Sequence, residues 1–344
     1  MTTIEIIAEH SYQILFVNQL ANPLADLVGD REVCVLTPES LVARIGDLPK
    51  EWRVITLPDG PDGELQKSGE VYLSILNQFA QMGIGRSAVL VGIGGGATTD
   101  LVGFLAATYM RGVSWIAVPT SLAGMVDAAI GGKTGINLSS GKNLAGSFHS
   151  PLAVLINEEF LSTLPVRDIN AGMAEVIKCG FISDPKILEL CEADPISNRS
   201  ELIWRAAKVK AEVVSKDFKE SFLREILNYG HTLGHAVEKH SGYQLRHGEA
   251  IAIGLFFAAT LSKEKLGLDE TIVEQHSKLL KSFNLPVRYK KDAWDELYRL
   301  MQSDKKRTNS GLRFVGLNAV GSVDRIEAVE EELLKNIYLE KIGE

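Results

Sequence analysis

The feature that most constrains the fold is the stretch Gly92-Ile-Gly94-Gly95-Gly96-Ala97-Thr98-Thr99-Asp100, which follows the apolar run 88–91 without a break and opens a helical pattern. A buried strand, a glycine loop and a helix N-terminus in that order present backbone N–H groups and the positive end of the helix dipole to an anion such as a pyrophosphate. The spacing satisfies G-x-G-x-x-A, although glycines serve tight turns equally well. Common dinucleotide folds carry an acidic residue about 20 positions further on, at the end of the next strand. Here that strand ends Val118-Pro119-Thr120-Ser121. A nucleotide-binding α/β sheet is therefore expected, but not the common one.

The first half otherwise follows the same alternation. Short apolar or β-branched runs at 33–36, 53–57, 88–91, 115–118 and 153–156 read as buried strands, with helical spacing at 68–82 and 100–110 between them. This pattern predicts a mostly parallel, Rossmann-like sheet. After about Pro165 the character changes to helical patterns at 168–182, 200–217, 223–239, 248–266 and 269–283, with a small strand pair at 312–317 and 323–329. The expected organisation is an α/β nucleotide-binding domain over 1–165 and a mainly α-helical metal- and substrate-binding domain over 166–344, with the active site in the cleft between them.

Charge narrows the partners. A net charge of -8 disfavours nonspecific nucleic-acid binding, which needs a basic face. No apolar run is long enough to span a bilayer and residues 1–10 do not form a signal peptide, so a cytoplasmic protein without membrane contact is expected. Three scattered cysteines, Cys34, Cys179 and Cys191, form neither a metal spacing nor a disulfide framework.

Against that acidic background the placement of cations is informative. Arg111, Lys133, Lys142, Lys178, Lys210 and Arg224 lie beside glycines or inside apolar stretches, as in Ile130-Gly-Gly-Lys133 and Gly141-Lys142-Asn143, where anion ligands are held; ordinary loop lysines are the plainer alternative. Asp62-Gly63-Glu64, with Lys67 just after, is a polar turn that would hold a ribose and phosphate or simply cap a helix.

The segment 223–239 carries Arg224, Asn228, His231 and His235 at i, i+4, i+7 and i+11, one face of a continuous helix. Two histidines a turn apart suit metal ligation, but the Glu of the metalloprotease motif is missing. Four of the seven histidines, His231, His235, His240 and His247, fall in one segment, although a lone histidine is more often a satisfied core residue. A catalytic zinc takes three protein ligands and leaves an open position. The best carboxylate candidate is Glu175 in Gly172-Met-Ala-Glu175-Val-Ile-Lys178, a charge in an apolar helix that needs a partner.

At this point the motifs resemble the 3-dehydroquinate synthase family of sugar phosphate cyclases. PDGELQK, GGGATTDLVGF, YMRG, VPTSL, MVDAAIGGKTGIN, GKN, GMAEVIK, KAEVV, LREILNYGHTLGH, RHGEA and DKK occur in the family's order and spacing between about Pro58 and Gly321. The resemblance implies that Glu175, His231 and His247 hold zinc or cobalt, leaving His235 for substrate. It places NAD along Asp62, Gly63, Glu64, Leu65, Gln66 and Lys67, along Gly96, Ala97, Thr98, Thr99 and Asp100, and at Thr120 and Ser121. Lys133, Lys142 and Phe160, Leu161, Ser162 and Thr163 complete that site. A phosphorylated sugar acid would meet Arg111, Asp127, Lys133, Asn143, Lys178, Lys210, Arg224, Asn228, His235 and Lys305 or Lys306.

The implied reaction converts 3-deoxy-D-arabino-heptulosonate 7-phosphate to 3-dehydroquinate and phosphate. C5 is oxidised transiently, phosphate is eliminated, hydride returns, the ring opens and an intramolecular aldol step closes the carbocycle. A homodimer is implied as well. The sequence departs from the pattern at Leu36-Thr37-Pro38-Glu39-Ser40, where the family often has Asp and Asn near the adenosine ribose, so that contact is unassigned. Rival readings are a sibling cyclase, such as an amino-dehydroquinate synthase, and a metal-dependent polyol dehydrogenase, which would release NADH.

Overall fold

The computed structural model describes residues 3–46, 48–60, 63–219, 223–306 and 312–344, with only the backbone of 303–306. The chain forms two compact units, Met1–Pro165 with Lys210–Lys219, and Val166–Val209 with Glu220–Glu344. A sequence boundary at 165 takes no account of the return of Lys210–Lys219 to the first unit. Asp62 lies outside the described residues, as do the side chains of Lys305 and Lys306.

The first unit contains, in order, β1 (Thr3–Ile7), β2 (Ser11–Phe16), α1 (Ala21–Val28), β3 (Val33–Pro38), β4 (Arg53–Leu57), α2 (Gly69–Met82), β5 (Val89–Gly94), α3 (Gly96–Thr108), β6 (Ser114–Pro119), β7 (Lys133–Leu138), β8 (Gly141–Phe148) and β9 (Ala153–Ile156). Seven strands form one sheet in the order β1-β2-β9-β6-β5-β3-β4, parallel throughout except at the β1–β2 edge. The expected Rossmann-like sheet is present. Strands β3, β5 and β9 are buried along their whole length, which is why they read as unbroken apolar runs.

Two hairpins were not anticipated. Strand β1 alternates exposed and buried residues at the sheet edge, so its apolar signal is thin. The glycine-flanked lysines at 133 and 142 lie not in loops but in an antiparallel pair, β7 and β8. A Cβ on Gly146 would stand 2.2 Å from the Thr134 carbonyl oxygen, so glycine lets these two strands close on each other. The helix expected over 100–110 stops at Thr108, because Met110 and Arg111 adopt left-handed backbone with φ of 49° and 66°.

The second unit contains α4 (Val166–Ile182), α5 (Pro185–Ala193), α6 (Arg199–Lys216, which crosses into the first unit at Lys210), α7 (His231–His240), α8 (His247–Leu266), α9 (Glu270–Ser282), α10 (Trp294–Lys306), β10 (Arg313–Ala319), β11 (Ser322–Glu327) and α11 (Glu331–Ile337). The strand pair β10–β11 is antiparallel. Helix α8 is buried almost continuously from Gly248 to Ser262, and its apolar residues form a core with Leu233, Val237, Trp294, Phe314 and Tyr338.

The continuous helix expected over 223–239 does not exist. A 3-10 turn covers Leu223–Asn228, and Gly230 then reverses to φ 79° before α7 begins at His231. Arg224 and Asn228 therefore do not share a helical stripe with His231 and His235. The break has a packing cause: a Cβ on Gly230 would lie 2.7 Å from the Leu255 amide nitrogen, and one on Gly254 would lie 1.9 Å from the Gly230 carbonyl oxygen. The chain enters α7 pressed against α8, and a regular turn with a side chain at 230 does not fit.

Candidate active site

The same close packing assembles a histidine cluster. His231 is the first residue of α7 and His247 the first residue of α8, while Glu175 projects from the middle of α4. A Cβ on Gly248 would come within 1.8 Å of the Ala171 carbonyl oxygen, so the start of α8 lies directly on α4 one turn before Glu175. Ion pairs flank that crossing. Arg167 meets Glu249 at 2.6 Å and Arg246 meets Asp168 at 2.7 Å.

Glu175 Oε1 lies 3.6 Å from His231 Nε2 and 3.4 Å from His247 Nε2, yet it accepts no hydrogen bond. The other nitrogen of each ring is occupied: His231 Nδ1 donates to the Tyr229 carbonyl at 3.1 Å and His247 Nδ1 to Glu238 Oε2 at 3.0 Å. Both Nε2 atoms therefore face the orphaned carboxylate oxygen. The ligand atoms of His231, His235 and His247 also lie within 4.8 Å of one another. A carboxylate oxygen and two imidazole nitrogens that converge in this way could hold a cation once His247 gives up its Nε2 proton, and the mixed nitrogen and oxygen set suits zinc or cobalt.

Electrostatics agree with that reading. Burial disfavours charge on Glu175, but the Lys178 ammonium in contact with its other oxygen, with His231 and His247, holds the carboxyl well below the usual range. Burial and then Lys178 push His231 well down, so its ring is neutral. At His247 burial acts against the proton, but Glu175 and Glu238 outweigh it and push the imidazole up to about 10. A metal at Nε2 must displace that proton. His235 is the exposed member of the cluster.

In the first unit, the turn 63–67 packs on the start of α3. Thr98 Oγ1 donates to Gln66 Oε1 at 2.7 Å, and the buried Lys67 Nζ meets Asp100 Oδ2 at 2.6 Å and also Asn143 Oδ1. Asn143, at φ 57°, is tied through its amide to Asn137 Oδ1 at 3.0 Å, and Asn137 donates to Glu64 Oε2 at 2.6 Å. Lys142 lies 3.8 Å from Glu64. Burial raises the Asp100 carboxyl against the opposing Lys67 charge.

The three loop glycines differ in what demands them. A Cβ on Gly94 would meet Thr98 Oγ1 at 2.3 Å and one on Gly96 would meet Ala128 at 2.8 Å, whereas at Gly95 the nearest atom is Ser121 Oγ at an ordinary 3.5 Å. The fold itself requires Gly94 and Gly96. Gly95 is left open at the helix N-terminus, where an anion would approach.

Three groups of expected residues are thus brought together: Glu175, Lys178, His231, His235 and His247; Glu64, Gln66, Lys67, Thr98, Asp100, Lys142 and Asn143; and Asp127 with Lys210, which form an ion pair. Thr120 donates its amide to Gly94 O at 2.8 Å, beside the loop. Phe160 and Leu161 are buried, and the hydroxyls of Ser162 and Thr163 bond within their own turn. Arg111 and Leu65 are exposed, and Arg224 is buried. Sequence reasoning missed Asn137 and Glu238. Glu238 lies at i+7 from His231 and i+3 from His235, a helical spacing that marks it.

Comparison with known proteins places this geometry. The profile described as 3-dehydroquinate synthase N-terminal matches residues 58–171 and that described as 3-dehydroquinate synthase C-terminal matches 172–307. The chain is 47% identical to a 3-dehydroquinate synthase of Streptomyces avermitilis, over 97% of this chain and 95% of the relative. It is 45% identical to one of Corynebacterium diphtheriae, over 98% of each. Among solved structures, 2-epi-5-epi-valiolone synthase from Streptomyces hygroscopicus, with NAD+ and Zn2+ bound, superposes with a TM-score of 0.87 at 25% identity, covering 98% of both chains. A probable glycerol dehydrogenase from Sinorhizobium meliloti, with a TM-score of 0.63 at 14% identity over 94% of this chain and 95% of the other, shares the fold alone. This chain belongs to the 3-dehydroquinate synthase family.

Proposed function

We propose that the chain is a 3-dehydroquinate synthase, an NAD- and metal-dependent lyase that converts 3-deoxy-D-arabino-heptulosonate 7-phosphate to 3-dehydroquinate and phosphate. The observation that carries this reading is the 45% to 47% identity to 3-dehydroquinate synthases over nearly the full length of the chain. When bound, NAD supplies a reversible hydride acceptor and the divalent ion polarises two substrate oxygens.

Glu175, His231 and His247 hold the metal, a reading supported by the orphaned Glu175 oxygen and the two anchored rings. His235, exposed beside them, faces substrate. Lys178 keeps Glu175 ionised and presents a cation to the substrate's hydroxyls and phosphate. NAD lies over Gly95, with Gly96–Asp100, residues 62–67, Thr120, Ser121, Lys133, Lys142 and residues 160–163 around it. Arg111, Asp127, Lys133, Asn143, Lys210, Arg224, Asn228 and Lys305 or Lys306 hold the carboxylate, hydroxyls and phosphate. In this reading 1–165 is the NAD domain, 166–344 the metal and substrate domain, and the enzyme is a cytoplasmic homodimer. The three free, buried cysteines suit a reducing compartment. Among the described residues, no helix is long and apolar enough to cross a membrane.

The decisive assay follows phosphate release from the heptulosonate phosphate with and without chelator and NAD. Release that needs both, with no accumulation of NADH, is expected. Stoichiometric NADH formed from a simple polyol would instead identify a dehydrogenase, and turnover of an amino-substituted analogue in preference would identify a sibling cyclase.

A further inference from the structure

Beyond the ligands themselves, the two histidines that flank Glu175 are oriented by different kinds of group. His231 Nδ1 bonds the Tyr229 backbone carbonyl, an acceptor supplied by chain direction and independent of the side chain at 229. His247 Nδ1 bonds a carboxylate, Glu238 Oε2, at 3.0 Å. Glu238 is 7% exposed near the end of α7, and burying a carboxylate there is costly without a function for its charge. Its position is set by α7, which begins at His231. His247, with a side chain 41% exposed, begins α8 after the turn 241–246. Without the Glu238 contact, that half-exposed ring would lose the bond that anchors its Nδ1.

We infer that Glu238 is a positioning residue for the metal, fixing the tautomer and orientation of His247 so that Nε2 faces Glu175. The contact ties the far end of the helix that begins with one ligand to the first residue of the helix that begins with another. A carboxylate behind an imidazole also raises the basicity of the coordinating nitrogen, and loss of such a partner typically costs about 10–100-fold in metal retention. The inference rests on the reading that His247 is a ligand.

The test uses the full-length protein loaded with zinc or with cobalt. Glu238→Leu keeps the bulk of the side chain without an acceptor, and Glu238→Gln keeps an acceptor oxygen without the charge. Zinc release to a chromophoric chelator should accelerate about 10–100-fold in the Leu variant and only a few-fold in the Gln variant. The visible spectrum of the cobalt form should change in the Leu variant and remain in the Gln variant, a signature that a merely structural tie would leave unmoved. Wild-type release and spectrum in Glu238→Leu would overturn the inference. Should that variant fail to fold, a long-range proton–nitrogen NMR spectrum of the wild-type zinc form decides: His247 protonated at Nδ1 and metallated at Nε2 is expected, and metallation at Nδ1 overturns it. His247→Ala separates the two levels. Zinc held as tightly as in wild type would sink the ligand reading itself, whereas rapid release there with unchanged Glu238→Leu would sink only the role of Glu238.

Discussion

The histidine cluster at the heads of α7 and α8 and the glycine loop at the head of α3 both sit at helix N-termini, yet they are built from opposite materials. The cluster is made of side chains: a buried Glu175–Lys178 pair and imidazoles steered from behind. The loop is made of backbone, with Gly94 and Gly96 demanded by the fold and Gly95 left open. The positive end of a helix dipole favours the anion expected at α3 and opposes a cation at α7 and α8. The second site therefore needs the negative charge of Glu175 and Glu238, whereas the first needs only N–H groups.

The largest expected effect probes the side-chain site. Glu175→Ala should lose bound metal and activity together, and it breaks the buried ion pair with Lys178, at about 3–5 kcal/mol of apo-protein stability. Metal content by emission spectroscopy and denaturant unfolding report the two losses. Full activity in this variant would break the comparison outright.

Next, the metal site has a backbone component of its own at the α8–α4 crossing. Gly248→Ala places a methyl group 1.8 Å from the Ala171 carbonyl oxygen, so α8 must move off α4, costing about 3 kcal/mol and weakening metal retention. An unchanged unfolding midpoint would show that the crossing tolerates strain.

Acid should act through His276, in the second unit. Its ring stacks on Phe181 at 3.4 Å, donates Nδ1–H to the Ile272 carbonyl and accepts from the Tyr229 hydroxyl at 2.9 Å. Burial pushes it down to about 3, from 6.5. The folded value lies below the unfolded one, so the unfolded chain takes up the proton first. This contribution is full above pH 6.5 and is lost as pH falls towards 3, by about 2 kcal/mol at pH 5. Urea unfolding at pH 7.5 and pH 5 should show that slope in wild type and lose much of it in His276→Gln; equal slopes would remove His276 as its source.

The smallest effect on stability should come from the loop's open glycine. Gly95→Ala is expected to stay within about 0.5 kcal/mol of wild type, since its Cβ meets only ordinary contacts. Its NAD affinity, read by calorimetry, should nevertheless fall, while Gly94→Ala should destabilise the fold. Unchanged NAD affinity in Gly95→Ala would place the nucleotide elsewhere.

These contrasts also explain what could be read from the chain. Strands β3, β5, β6 and β9 were legible because a strand buried on both faces needs an unbroken apolar run. The β7–β8 hairpin was not, because its glycines serve strand approach and lower the strand signal. Glu175 stood out as a charge in an apolar helix. Glu238 was hidden in Glu238-Lys239-His240-Ser241, a run that reads as solvent-facing although Glu238 itself is buried. The break at Gly230 depends on Leu255 and Gly254, more than 20 positions away, and local periodicity carries no information about contacts at that range.

The strand order has a consequence for how the chain is made. Strand β2 lies beside β9, so Ser11–Phe16 must wait for Ala153–Ile156 before it gains its parallel neighbour, and Ile7 donates its amide to Ser215 Oγ, further on still. Such distant pairings slow folding, because loop-closure entropy is lost before contacts repay it. During synthesis the amino-terminal hairpin leaves the ribosome long before its partners and presents an unpaired sheet edge. Folding of the first unit therefore completes only after the beginning of the second has been translated.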